Sequence, residues 1–372
     1  MIEEKLLKNE EKAIFTLRSL YRKYGYLPFK MSKFEEYDLY VRNKDFLVSD
    51  RVITFNDTNG RLLALKPDVT LSIIKNGEDV QGYKQKVYYN ENVYRVSGGT
   101  HQYKEIMQTG LECIGDIDVY DVYEVLLLAA KSLAVICDEF VLDISHLGIL
   151  EALLEEIRPD ERFRREIVHC IGEKNAHDIA GICKRYRVSQ EYAELLRKFV
   201  GIYGDMAKVL TRMKEICIND GMKKSLRELE ALFWLLRDCG YEKHIRFDFS
   251  VVNDMNYYNG IVFKGFLNGI CEGVLSGGQY DRLMQRMGRR SGAIGFALYL
   301  DLLEEMKRER HEYDVDVLLL YGDTTPLDSL REKVAQLTDS GKTVSVQKSI
   351  PAKLRYRELA DLRTEEISGE KG

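Results

Sequence analysis

With 372 residues, 45% of them apolar and 31% charged, the chain has material for two or three domains with a full core, and its five prolines leave little room for long disordered linkers. A formal charge of −5 argues against a protein that works by coating nucleic acid. Seven cysteines, odd in number and without a CxxC pair, exclude a complete disulfide framework, and six scattered histidines with no HxH or HExxH give no metal site. The N-terminus MIEEKLLKNEEKAIF lacks the apolar segment of a signal peptide, and the longest apolar run, 125–130, is too short to span a bilayer. A cytoplasmic protein with reduced thiols, without metal or cofactor, is expected.

Leu6, Leu7, Ile14, Leu17 and Leu20 recur at helical spacing, so a helix is predicted over 3–24, stopped by Gly25. In VITFNDTNGRLLAL, 52–65, two apolar runs flank Asn59-Gly60, the signature of a hairpin. KPDVTLSIIKN then opens a helix with Pro67 in its first turn. KVYYNENVYR (86–95) and EIMQTGLECIG (105–115) read as strands joined by a loop containing Gly98-Gly99. In the second strand Gln108, Gly110 and Glu112 share one face. A solvated outer face would look the same, but a glycine between an amide and a carboxylate points to a floor on which something lies. Asp118 is placed to cap the helix DVYDVYEVLLLAAKSLAVICDEF.

Residues 148 to about 240 read as charged helices, an insertion plus a returning core helix, with nothing resembling a site. Strands resume at IRFDFSVV (245–252), YYNGIVFKGFL and GICEGVLS, followed by a Gly277-Gly278 turn and a helix. In VVNDMNYYNGIVF, 251–263, a strand meets a run of amides and two phenols, like the rim of a pocket, although a tyrosine pair without context belongs as readily to a core. GAIGFALYLDLLEEMKRER reads as a glycine-led helix with a basic tail at 307–311. VDVLLLYG, PLDSLREKVAQLTDSG, KTVSVQK and PAKLRYRELADLRT read as a small β-α-β-α lobe. The fold class is thus α+β, with a core from 1–147 and 225–311, a helical insertion over 148–224 and a lobe over 312–372.

Four segments, ALKPDVT, YYNENVYR with EIMQTGLECIG, VVNDMNYYNGIVF, and GVLSGGQYDRLM with GAIGFAL, resemble in order and spacing the catalytic core of class II histidyl-tRNA synthetases. The resemblance covers roughly 10–145 and 225–308. It implies an antiparallel sheet of about six or seven strands flanked by helices, dimerisation through the core, and a C-terminal lobe like a shortened anticodon-binding domain. It also implies a histidine pocket of Asp68, Thr70, Gln108, Glu112, Tyr258 and Tyr280, with Asp68 and Gln108 facing the α-ammonium and Glu112 and Tyr258 facing the imidazole. The chemistry is consistent: an ammonium calls for a carboxylate, and an imidazole for an acceptor and a hydroxyl.

The departures from that family bear on function. The positions matching its catalytic cations hold Asn253, Gln279 and Leu302, the loop VSGGTHQYK carries no arginine, and Arg95 alone survives from the set. Amino-acid activation builds negative charge on phosphorus, and loss of one electrostatic donor typically costs on the order of a hundredfold or more. A pocket kept while the cations are lost resembles the regulatory subunits of ATP phosphoribosyltransferase, synthetase paralogues that perform no chemistry. The resemblance implies a hetero-oligomer with the short-form catalytic subunit, a role in histidine biosynthesis and feedback by histidine; tRNA is not an expected partner. Two other readings use the same residues: a divergent working synthetase, and a free-standing sensor of histidine or tRNA.

Overall fold

A computed structural model describes residues 9–44, 47, 52–77, 80, 82–96, 102–158, 160–252, 257–305 and 313–363. Leu6, Leu7, the Gly98-Gly99 loop, Asn253 and the basic tail at 307–311 lie outside the described residues. The chain divides into two compact units, Met1–Met306 and Lys307–Gly372.

The first unit opens with α1 (Asn9–Lys23), ended by Gly25 at φ +83°, then β1 (Leu27–Pro28), β2 (Phe34–Glu36) and α2 (Tyr37–Arg42). β3 (Thr54–Asn56) and β4 (Leu62–Leu65) form the hairpin, and β2 joins them in a small sheet. The Asp57 carboxylate accepts from the N–H groups of Asn59 and Arg61 at 2.7 and 2.8 Å, which closes the turn at Gly60. The next helix, α3 (Thr70–Asn76), starts later than expected; Pro67 lies before it. β5 (Gln85–Val96) and β6 (Tyr103–Gly115) pair antiparallel over their whole length, from Gln85↔Ile114 to Val96↔Tyr103. α4 (Val119–Ile136) is capped by Asp118, which accepts from Tyr120 and Asp121 while Asp121 accepts from the Asp118 N–H at 2.8 Å.

β7 (Phe140–His146) leads into α5 (Leu147–Ile157), α6 (Glu161–Gly172), α7 (Ala176–Arg185), α8 (Gln190–Val200), β8 (Tyr203–Gly204), α9 (Met206–Ile216) and α10 (Asp220–Leu236). β9 (Ile245–Asp248), β10 (Ile261–Leu267), β11 (Leu275–Gln279), α11 (Asp281–Arg286), β12 (Gly292–Tyr299) and the 3₁₀ turn Asp301–Glu305 complete the unit. The main sheet has the order β1-β5-β6-β12-β11-β10-β7-β9-β8. Its pairings are antiparallel apart from β1 with β5 and β7 with β9. Nine strands exceed the six or seven expected because β1 and β8, two residues each, extend the edges. The apolar side of α4, with Val125, Leu128, Ala129 and Leu133, is buried with Leu111 and Cys113 of β6 and Ile294, Phe296 and Leu298 of β12. The alternation along β6 therefore turns Gln108, Gly110 and Glu112 to the opposite face.

Three expectations are corrected. Gly292–Tyr299 is not the start of a helix but strand β12, beside β6. Its large residues Ile294, Phe296 and Leu298 alternate with small Ala293, Gly295 and Ala297, so the strand period is carried by size. Gly277-Gly278 is not a turn but part of β11, where a Cβ on Gly277 would meet the Phe263 ring at 2.6 Å and one on Gly278 would meet the Tyr258 ring at 2.8 Å. In the second unit, β13 (Val315–Leu320), α12 (Leu327–Asp339) and β14 (Val344–Gln347) are followed by strand β15 (Tyr356–Asp361), not a second helix. β13 is central and parallel to both neighbours, with Val317 to Leu320 buried; β15 satisfies its second edge, which outweighs the helical propensity of RELADLR.

Candidate functional site: a pocket on the sheet face away from α4

The sheet face away from α4 carries a cavity of about 500 Å³. Asp68, Thr70, Arg95, Gln108, Glu112, Tyr258 and Tyr280 all line it. The segment before α3 is fastened to β5. The Tyr94 N–H donates to the Lys66 carbonyl at 2.9 Å, Arg95 Nε donates to the Pro67 carbonyl at 3.0 Å, and the buried Lys66 ammonium donates to Glu91 at 2.7 Å. Asp68 accepts from the Leu71 N–H at 3.0 Å as the chain enters α3. Burial raises the Asp68 pKa, against the Leu71 hydrogen bond and the nearby Arg95 guanidinium.

Glu112, 2% exposed, forms the floor. Its two oxygens accept from the Thr70 hydroxyl at 2.9 Å and the Tyr280 hydroxyl at 2.7 Å. Burial pushes its carboxyl up to about 8; the two hydroxyl bonds oppose the shift and the Asp68 carboxylate adds to it. The carboxylate fits only because position 295 is glycine: a Cβ there would overlap Glu112 Oε2. Gln108 Nε2 is buried, 3% exposed, and has no hydrogen-bond partner among the described residues. A buried amide donor without an acceptor fits a site built for a polar ligand.

The gap at Gly110 has a different occupant from the one the strand pattern suggests. The Tyr89 hydroxyl from the neighbouring strand would stand 2.5 Å from a Cβ at Gly110, so this space is used by the protein. Sequence reasoning missed Tyr89, Ser276 and Tyr299 as lining residues. Tyr257, read with Tyr258 as the rim of a pocket, lines it too; their rings lie 4.7 Å apart and Tyr257 lies 6.0 Å from Tyr280. Also missed was the insertion, expected to hold nothing resembling a site: Arg164, Arg165, Val168, His169 and Gly172 on one side of α6 line the same cavity. Their spacing looks like any solvated helix face until the tertiary fold brings it over the sheet.

Gln279 and Leu302, expected to stand where the family has cations, have structural uses. Gln279 Oε1 accepts from the Ile261 N–H at 2.7 Å, at the start of β10. Leu302 packs against the main apolar core. Among the described residues no group of three or more His, Cys, Asp or Glu could hold a metal ion, and no helix is long and apolar enough to cross a membrane.

The profile of the histidyl-tRNA synthetase family matches residues 2–303. An ATP phosphoribosyltransferase regulatory subunit from Oceanobacillus iheyensis is 30% identical over 283 residues, 75% of this chain and 69% of the relative. The chain belongs to the histidyl-tRNA synthetase family, in its branch of ATP phosphoribosyltransferase regulatory subunits. Solved structures share the fold of this branch. One described as an ATP phosphoribosyltransferase regulatory subunit/histidyl-tRNA synthetase from Bacillus halodurans C superposes with a TM-score of 0.74 at 23% identity, covering 98% of this chain and 96% of the other. A chain of an ATP phosphoribosyl transferase (HisG:HisZ) complex from Thermotoga maritima gives 0.62 at 19% identity, covering 78% and 97%. The class II synthetase-like sheet of this chain is the nine-stranded sheet described above.

Proposed function

We infer that the chain, as a regulatory subunit of histidine biosynthesis, acts by contact with a short-form ATP phosphoribosyltransferase catalytic subunit, has no synthetase activity of its own, and holds free histidine in the pocket. One observation carries this reading: the half-buried Asp68 and the buried Glu112 line the pocket, while the matching positions for catalytic cations hold Asn253, Gln279 and Leu302. In this reading Asp68 and Gln108 take the ammonium, and Glu112 and Tyr258 the imidazole. Thr70 and Tyr280 hold Glu112 in place. Arg95 holds the Pro67 carbonyl and faces Asp68. The core forms a homodimer, as in the family it resembles. The name of the Thermotoga maritima complex supports the choice of partner. A ligand that alters the activity of a partner must bind the active and inactive arrangements with different affinity; a coupling of about 1–3 kcal/mol is sufficient.

The test mixes the purified chain with a short catalytic subunit and follows phosphoribosyl-ATP formation with and without histidine. Activity should depend on the chain and fall with histidine. A catalytic subunit equally active alone would sink the regulatory mechanism. In parallel, histidine-dependent pyrophosphate exchange with ATP should be absent, and Asn253→Arg should not restore it; turnover of about one per second or more would mark a working synthetase.

A further inference from the structure

The geometry points to Arg165 of the helical insertion as the cation that receives the ligand carboxylate, in place of the arginine absent at Asn253. This rests on the histidine reading above and adds to it a residue outside the synthetase-like core. A zwitterionic amino acid brings one ammonium and one carboxylate. The core wall of the cavity offers two acids, Asp68 and Glu112, and Arg95, whose Nε is committed to the Pro67 carbonyl at 3.0 Å and whose charge lies beside Asp68. Arg95 keeps its Nη donors, but on this wall its charge is set against two acids, so a ligand carboxylate gains from a second cation on the facing wall.

α6 supplies it from the opposite wall. Glu161, Arg164, Arg165 and His169 line the cavity from one side of the helix, with Glu173 just past its end. Arg164 pairs with Glu151 at 3.6 Å. Arg165 has no carboxylate partner among the described residues; its Nε donates to the Glu161 carbonyl of its own helix at 3.4 Å, a long bond. Its guanidinium is thus the cation of this wall left to a ligand, and a guanidinium matches a carboxylate with two parallel donors.

The helix is also held in place. Glu151 is gripped by Arg282 at 2.8 Å, so Arg282, Glu151 and Arg164 link α11, α5 and α6. Arg282 lies two residues after Tyr280, which touches Glu112. Just beyond the other end of α6, Lys174 donates to Asp248 of β9 at 2.6 Å. Two ion-pair anchors fix this helix relative to the sheet. Gln108 Nε2 on the floor of the same cavity, without a hydrogen-bond partner among the described residues, is independent evidence that a polar ligand belongs between the walls.

The test compares histidine with histidine methyl ester, which keeps the imidazole and the ammonium but lacks the carboxylate charge, by calorimetric titration of the full chain. The wild type should prefer histidine by about ten- to hundredfold, the usual size for a hydrogen bond to a charged group. Arg165→Met should lose that preference, binding histidine as weakly as the ester, while Arg165→Lys should keep part of it. Arg165 is exposed, so the thermal transition of both variants should match the wild type. An undiminished preference in Arg165→Met overturns the assignment and leaves the histidine pocket standing. So does an equal loss of both ligands. A wild type that binds no histidine removes both readings together.

Discussion

Glu112→Gln should make the protein more stable, and by an amount that grows with pH. In the folded chain the Glu112 carboxyl is pushed up to about 8 from an ordinary 4.5. Between those values the folded state keeps a proton that the unfolded state has released. Stability therefore falls as pH rises through this window and levels off above about 8. At about 1.4 kcal/mol per pKa unit the full loss is on the order of 3–5 kcal/mol. Glutamine occupies the same space and does not titrate. Its oxygen still accepts one of the two hydroxyl bonds, and the other hydroxyl turns to accept from the new amide. Below about pH 4.5 the two proteins differ only by that rearrangement. Denaturant unfolding at pH 5, 7 and 9 measures the difference, followed by circular dichroism and by the fluorescence of Trp234, the single tryptophan, which lies on α10 of the first unit. The gain from the substitution should be larger at pH 9 than at pH 5 by about 3 kcal/mol. A difference that stays constant with pH would refute the argument that burial beside Asp68 holds a proton on Glu112.

The same proton governs the ligand. A free imidazole titrates near 6.5 and the empty pocket near 8, so between them the pair brings one proton to the complex; histidine affinity should peak in this window and fall on both sides, and a monotonic calorimetric profile would exclude the imidazole–Glu112 contact. Glu112→Gln should weaken histidine binding by about 1.5–3 kcal/mol at pH 7, and equal titrations would place histidine elsewhere. Gly295→Ala places a Cβ over Glu112 Oε2, so it should lower stability by about 1–3 kcal/mol and abolish histidine binding; an unchanged thermal transition and titration would show that the floor yields.

Much of this fold was legible where the signal is local. The Asp118 cap, the Asn59-Gly60 hairpin and the alternation of Gln108, Gly110 and Glu112 each depend on neighbours within a few residues or on one strand's period. What was misread depends on partners distant in the chain. β12 hides its period because Gly295 must be small to admit Glu112, and Gly277-Gly278 resembles a turn because aromatic rings lie where side chains would be. The space at Gly110 belongs to Tyr89, which follows from the register Tyr89↔Gly110 and from nothing within either strand alone. α6 was illegible as a pocket wall for the same reason: its cations acquire meaning from the sheet they face.

The hydrogen bond from the Ile261 N–H to Gln279 makes this position costly to change to a cation. The Gln279 side chain ends the β10–β11 pairing and lies against Gly260, where no larger residue would fit beside it. Arginine has no side-chain acceptor, so placing a cation at this position would leave the first amide of a buried strand unpaired. The side chain at 279 answers to the sheet, and any path that puts a cation there begins with a loss of folding stability.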